Sequence, residues 1–363
     1  MLILIVAFAV SLAATLLAIR SATTYAYLRR DEGLGGPQRF HARPAARIGG
    51  LGILAGVLAG VAVAWKSDMA VGVAGLALIG CGLPAWIAGL AEDLTKEVSP
   101  TRRLLSTALS ALLGVWLLDA VIVRTAIPGL DWVVSYPLGA AAVTVFAVTG
   151  VANAVNIIDG FNGLASMCGV VILLCLSYVG FQVDDLTVAW LALAGVGALF
   201  GFFVWNFPAG LIFLGDGGAY FLGFYIAELG ILLLHRNPTV SPMFPLLLCI
   251  YPVFETVFSI YRRRFLRAMP PSMPDGIHLH SLIYRRVMRW AVGNRSAKAL
   301  TRRNSMTSPY LWLLCMFAAI PSVLFWDNTA VLAVLILVFG VSYVALYWRI
   351  VRFKSPRWMV FRR

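Results

Sequence analysis

The chain has 363 residues, of which 61% are hydrophobic and 12% charged, with a formal net charge of +13. An ordinary soluble domain is about 25% charged and about 45–50% apolar, so that class is excluded. The apolar residues form unbroken blocks about 20 long, the length that crosses a hydrocarbon core, rather than the alternating segments of a closed barrel.

The expectation is an all-α polytopic integral membrane protein with a single membrane domain over residues 1–363. Eleven spans are expected, at roughly 2–23, 48–65, 70–90, 104–120, 134–151, 165–182, 187–205, 218–234, 241–261, 309–325 and 329–348. The first run, Leu2 to Thr23, has no basic leader and no clear cleavage site, so it reads as a spanning helix rather than a removed signal. Pro128, Gly129 and Pro137 break the pattern between residues 119 and 137. The five cysteines (Cys81, Cys168, Cys175, Cys249, Cys315) all lie inside apolar runs and read as packing residues, with neither zinc spacing nor disulfide pairing.

The connectors alternate in charge. One set carries Arg29, Arg30, Arg39, Arg43 and Arg47, then Lys96, Arg102 and Arg103, then Arg262 through Arg303, then the basic tail 349–363. The other set is short and nearly neutral or acidic, with Lys66 and Asp68, Arg124 and Asp131, Asp184 and Asp185, Arg236 and Asp327. The positive-inside rule puts the first set in the cytoplasm, the N-terminus outside and the C-terminus inside. The location of the basic residues, in short segments beside the spans, argues against nucleic acid as the partner and for contact with membrane lipids.

The cytoplasmic connectors 24–47, 91–103, 152–164, 206–217 and 262–308 carry the polar chemistry. Arg47 directly precedes the pair Gly49-Gly50. Glu92 and Asp93 are adjacent carboxylates after the third span; Asp93 and Lys96 form an i,i+3 pair if the helix continues. They read either as a solvated helix end or as groups that hold a cation or an acidic substrate. Asn153-x-x-Asn156-x-x-Asp159-Gly160-Phe-Asn162-Gly163 sets three amides and a carboxylate on a glycine turn, which reads as a plain loop or as a positioning element.

Asp216 lies among Gly215, Gly217 and Gly218 at a helix start, where amides favour an anion and the carboxylate suits Mg²⁺. Glu228 and Glu255 lie inside apolar runs, where an ionisable group faces the bundle interior or a polar cavity. Asp275-Gly-Ile-His278-Leu-His280 lacks a third ligand at zinc spacing, and contacts to phosphate suit it better. Carboxylates with basic groups opposite, all on one face, suit phosphoryl transfer with a membrane lipid as one reactant.

The two signatures Asn153-x-x-Asn156-x-x-Asp159-Gly-x-Asn162-Gly163-Leu and Gly215-Asp216-x-Gly-x-x-x-Leu-Gly223 resemble those of the polyprenyl-phosphate N-acetylhexosamine-1-phosphate transferases. Pro-x-x-Arg47-x-Gly-Gly and His278-x-His280 add to the resemblance. It implies a multi-pass enzyme of the bacterial inner membrane with its active site facing the cytoplasm. The implied reaction joins the phosphate of undecaprenyl phosphate to the β-phosphorus of a UDP-N-acetylaminosugar and releases UMP.

By the same resemblance Asp216 is the main ligand of Mg²⁺, or of Mn²⁺ in its place. Asp93 is the acidic group near the lipid phosphate, either base or metal ligand. Asp159, Asn153, Asn156, Asn162 and Gly163 position the nucleotide-diphosphate. His278 and His280, with Asp275, meet the diphosphate, and Lys96 and Arg47 assist. Two departures stand out: Glu92 where the family usually has Asp, and Ser281 where another histidine often follows. The longer Glu92 is not assigned to the metal, and the absence of the peptidoglycan enzyme's richer histidine cluster points away from a MurNAc-pentapeptide donor and towards the O-antigen-initiating branch, with UDP-GlcNAc, UDP-FucNAc or UDP-QuiNAc as donor. The alternatives are the peptidoglycan transferase itself or a secondary transporter, whose polar groups would sit near the midplane in repeated halves. A homodimer is the default expectation for assembly.

Overall fold

The computed structural model describes residues 1–24, 45–266, 277–288 and 296–352. Among the described residues the chain is helical, and the one extended pairing is a parallel bridge between Ala46 and Ile212. The helices are α1 (Leu2–Thr24), α2 (Gly50–Ser67), α3 (Met69–Thr95), α4 (Pro100–Leu117), α5 (Pro128–Val134), α6 (Pro137–Ile158) and α7 (Leu164–Gln182). They continue as α8 (Leu186–Asn206), α9 (Gly215–Arg236), α10 (Met243–Leu248), α11 (Ile250–Tyr261), α12 (Leu279–Leu282), α13 (Ala297–Leu324) and α14 (Thr329–Val351).

Nine helices among the described residues are long and apolar enough to cross a membrane, where the sequence led us to expect eleven spans. The difference lies at 104–120 and 241–261. The first of these is α4, which opens on the cap Ser99 and carries buried Thr107 and Ser110, so its composition falls short of a spanning helix. The second is divided at Cys249 into α10 and α11. Pro252 has no N–H to give the Leu248 carbonyl, and its ring crowds that carbonyl, so one continuous helix is prevented there. The prolines flagged around residue 128 act as starts: α5 and α6 each begin on one.

Helix α9 is the centre of the bundle. Its whole spanning stretch is buried, as befits a helix that is apolar on every side. Helices α3 and α6 flank it, while α1 packs on α2 and α8, and α8 packs on α7. At one end of the bundle the segments around residues 46–50, 89–103, 153–163, 206–217, 278–284 and 300–308 meet through hydrogen bonds and ring contacts. At the opposite end Asp119 meets His235, Arg124 donates to the carbonyls of Leu234 and Asn237, and Asp185 meets Arg236 and Asn237. The basic connectors therefore share one end and the acidic ones the other.

Two expected connectors are shorter than their stretches suggested. Helix α6 runs through Asn153 and Asn156 to Ile158, so the turn proper is 159–163. Helix α13 starts at Ala297, with Ser296 accepting from the Ala299 N–H, well before the expected start of that span at residue 309. Its first three turns carry buried Asn304, Ser305, Thr307 and Ser308, whose polarity reads as loop in the sequence but serves packing against the 159–163 turn.

The head of α9 is packed backbone to backbone. A Cβ at Gly89 of α3 would lie 2.5 Å from the Gly217 nitrogen, and one at Gly50 of α2 would lie 2.6 Å from the Gly218 Cα. Small residues allow membrane helices this approach, and backbone cannot yield as a flexible side chain can. Gly89→Val is therefore expected to separate α3 from α9 and to destabilise the protein by about 1–3 kcal/mol or more. Thermal unfolding of the detergent-purified protein checks this; an unchanged melting temperature would mean the junction is looser than described.

Candidate active site at the head of α9

Residues 46–50 run beside 212–214 and tie α2 to the start of α9. Phe213 donates its N–H to Ala46 O (2.9 Å), Gly49 donates to Phe213 O (2.9 Å), and Gly50 donates to Leu214 O (3.0 Å). Gly215 then turns the chain with φ +78°, a conformation a side chain resists, and a Cβ there would lie 2.6 Å from Asp93 Oδ2. The glycines that crowd Asp216 are thus explained by packing: they let Asp93, at the end of α3, reach the first turn of α9.

Asp93 Oδ2 accepts the Gly217 N–H at 3.0 Å. The anion-binding helix start expected for a phosphate is therefore partly taken by this chain's own carboxylate. Asp93 Oδ1 is buried and has no hydrogen-bond partner in the protein. Asp216 stands beside it, partly exposed. Its Oδ1 accepts from Asn156 Nδ2 at 3.0 Å, and its Oδ2 pairs with Arg103 Nη1. Asp159 follows at the end of α6. Burial, with Asp216 and then Asp93 as like-charged neighbours, pushes its carboxyl up to about 8, while Arg47 pulls the other way.

Asp93, Asp159, Asp216, Asn156 and Arg47 thus share one electrostatic neighbourhood. Arg103 joins it without having been singled out. Its signal in the sequence was only one arginine of an adjacent pair, and the pairing with Asp216 spans 113 residues.

Other expected site residues have different tasks. Asn153 turns its amide back to Thr149 O (2.8 Å) on its own helix. Asn162 is buried: its N–H goes to Asn304 Oδ1 (2.9 Å), its Nδ2 to Ser305 Oγ (3.1 Å) and Pro208 O (3.3 Å), and its carbonyl accepts from Ser308 Oγ (2.6 Å). Gly163, at φ +73°, gives its N–H to Asn206 Oδ1 (2.5 Å) and accepts from Trp312 Nε1 (3.0 Å). Both residues anchor the turn rather than face a ligand. Lys96 sits exposed at the left-handed cap of α3, so the expected helical pair with Asp93 ends one residue short, although its charge still acts on that carboxylate. Glu92 accepts the Val98 N–H at 2.9 Å and closes the 92–98 turn.

His278 and His280 reach the turn from the other side. Their rings stack at 5.1 Å, His280 lies edge-on to Phe161 at 5.3 Å, and its Nε2 would be 3.7 Å from a Cβ at Gly160. Both are 4% exposed, so in this arrangement they press on the Asp159 turn instead of opening to solvent. Asp275 lies outside the described residues.

The donor set fits a hard divalent cation. Mg²⁺ is commonly held by one or two carboxylates together with water and substrate phosphates. Asp93 and Asp216 provide that pair, and the orphaned Asp93 Oδ1 is an acceptor with nothing to accept. Among the described residues no group of three His, Cys, Asp or Glu donors comes together.

Residues 75–234, from within α3 to near the end of α9, match the model of glycosyl transferase family 4. That match, with the relatives that follow, supports the resemblance to the polyprenyl-phosphate hexosamine-1-phosphate transferases. The chain is 34% identical over 167 residues to a Bacillus subtilis (strain 168) protein named "Probable undecaprenyl-phosphate N-acetylglucosaminyl 1-phosphate transferase", covering 46% of this chain and 44% of that one. It is 28% identical over 211 residues to the undecaprenyl-phosphate alpha-N-acetylglucosaminyl 1-phosphate transferase of Thermotoga maritima, covering 57% of this chain and 61% of that one. A phospho-N-acetylmuramoyl-pentapeptide-transferase of Streptococcus mutans is 41% identical over 88 residues, 24% of this chain and 26% of that one. The chain thus spans about half the length of the first two relatives.

The tie between the 159–163 turn and α13 is open to a direct test. Asn304→Ala leaves the buried Asn162 N–H without an acceptor, a loss of about 1–3 kcal/mol. The expected result is a lower melting temperature in detergent; a wild-type value would remove α13 from the account of the turn.

Proposed function

We propose that the chain transfers an N-acetylhexosamine-1-phosphate from a UDP-sugar to undecaprenyl phosphate at the cytoplasmic end of the bundle. The observation that carries this reading is the convergence of Asp93, Asp216, Arg103 and Asn156 on the head of α9, beside Asp159 and Arg47. Such a site handles phosphates by neutralising and positioning charge, which is most of what phosphoryl transfer asks of a protein. The basic residues near this end support a cytoplasmic location under the positive-inside rule, where UDP-sugars are available.

In the proposed reaction an oxygen of the lipid phosphate bonds to the β-phosphorus of the donor. The bond from that phosphorus to the bridging oxygen breaks, and UMP leaves with the bridging oxygen. A phosphate monoester with a second pKa of about 6 is already largely dianionic at neutral pH, so Asp93 need not remove a proton. Asp216 and Asp93 would hold Mg²⁺, which when bound supplies positive charge to the diphosphate. Arg103 balances Asp216 and orients it; Asn156 fixes the other oxygen of the same carboxylate. Asp159 and Arg47 border the space where the nucleotide-diphosphate would lie.

UDP-GlcNAc is the first donor to test, on the printed names of the Bacillus and Thermotoga relatives; UDP-FucNAc and UDP-QuiNAc follow from the motif pattern. A role in starting O-antigen assembly rests on that same pattern. The second reading, transfer of a MurNAc-pentapeptide phosphate, rests on the short match to the streptococcal proteins.

The test is a donor panel on the full chain with undecaprenyl phosphate and Mg²⁺, with mass detection of the lipid product. The expected product is a polyprenyl-diphosphate N-acetylhexosamine, formed with UMP and lost on chelation. Asp216→Asn should lower turnover by at least about 100-fold, on the scale of losing one charge-stabilising group. Full activity of that variant would overturn the metal assignment, and solute transport without a lipid product would overturn the class.

A further inference from the structure

The part of the chain after α9 contains a buried polar latch that none of the proposed chemistry uses. Glu255 of α11 is 1% exposed, deep among apolar neighbours. Its Oε1 meets His278 Nδ1 at 3.0 Å and accepts the Leu279 N–H at 3.1 Å, while its Oε2 accepts the Tyr343 O–H at 2.6 Å. A carboxylate with three donors aimed at it is an acceptor on every side, so His278 Nδ1 carries the proton and the tautomer is set. Two turns further along the same face, Arg262 donates to Ile277 O at 2.6 Å and to the Tyr347 hydroxyl. Tyr347 also donates to Ile277 O at 3.2 Å. Tyr343 and Tyr347 are one turn apart on α14. Residues 277–279 are therefore gripped at two points between α11 and α14.

That grip has a direction. With 277–279 fixed, His280 is stacked on His278 and pressed against Gly160 and Phe161, next to Asp159. Phe161 is held from its other flank by Tyr284, at 5.5 Å. We infer that Glu255 and Tyr343 are positioning residues: by fixing His278 they set, through His280, the placement of the 159–163 turn. This rests on the transferase reading of that turn and adds to it a pair of residues on helices outside the segment matched to the family.

The test uses full-length protein labelled with ¹⁵N-histidine. The sequence has four histidines, so the His278 signal is assignable by single substitutions. In the wild type a slowly exchanging His278 Nδ1–H is expected, and in Glu255→Gln its loss or displacement. The same variant should turn over about 10- to 100-fold more slowly, the loss that follows a misplacement of about 1 Å. It should have no further effect in a His278→Asn background, because the two residues act as one unit. A merely structural role predicts additive losses in that double variant, and additivity would overturn the inference. So would a His278 signal unchanged by Glu255→Gln, or a lost signal with undiminished turnover. If Glu255→Gln does not accumulate, Tyr343→Phe removes one donor only; it should shift the His278 signal and slow turnover, and failure of either overturns the inference. A wild type that makes no lipid product from any donor, yet loses the His278 signal in Glu255→Gln, keeps the latch and overturns the transferase reading.

Discussion

Close contact between three backbones at the head of α9 is the constraint on which the rest of the site depends. Side chains are absent where Gly50 and Gly89 meet Gly218 and Gly217, so the carboxylate at the end of α3 reaches the first turn of a helix from another part of the chain. A carboxylate placed by helix packing has less freedom than one on a loop, and a site that stabilises charge needs that rigidity. The same contact fixes the first turn of α9, the helix buried at the centre of the bundle, against α2 and α3.

Charge balance is the second constraint. Asp93, Asp159 and Asp216 in one neighbourhood repel one another, and the protein answers with Arg103 and Arg47 rather than with neutral spacing. Two of Asp216's acceptor positions are already engaged by Asn156 and Arg103, while one oxygen of Asp93 is unengaged.

Much of this was legible in the residues. The apolar blocks gave most of the long helices, because a segment that must bury twenty residues in hydrocarbon has little compositional freedom. Asp93, Asn156, Asp159 and Asp216 could be singled out in the sequence because carboxylates and amides stand beside glycines at the ends of apolar runs, and the structure brings them together. The role of Asn162 was not legible: it sits in the same motif, yet its partners are Asn304, Ser305 and Ser308, more than 140 residues away. Arg103 was hidden for the same reason, since one arginine in a basic connector looks like any other until its partner is known. The break at Cys249 was readable in principle from Pro252, but a continuous apolar run from 241 to 261 outweighed it. The polar first turns of α13 look like a loop locally and become a helix because a turn from elsewhere needs their hydroxyls and amides.

The division between charge and fastening runs along the chain. Asp93, Arg103, Asn156, Asp159 and Asp216 all fall within residues 75–234, the part matched to the family. The 159–163 turn is gripped from within that part by Asn206 and Pro208, and from later in the chain by Asn304, Ser305, Ser308, Trp312 and His280. Asp159 stands on the turn those later residues hold, while Asp93 and Asp216 stand on helix ends that α2, α3 and α9 hold among themselves. Displacing α13 or α14 would therefore move Asp159 relative to a fixed Asp93–Asp216 pair. The placement of Asp159 thus depends partly on the part of the chain after α9, which carries none of the three carboxylates.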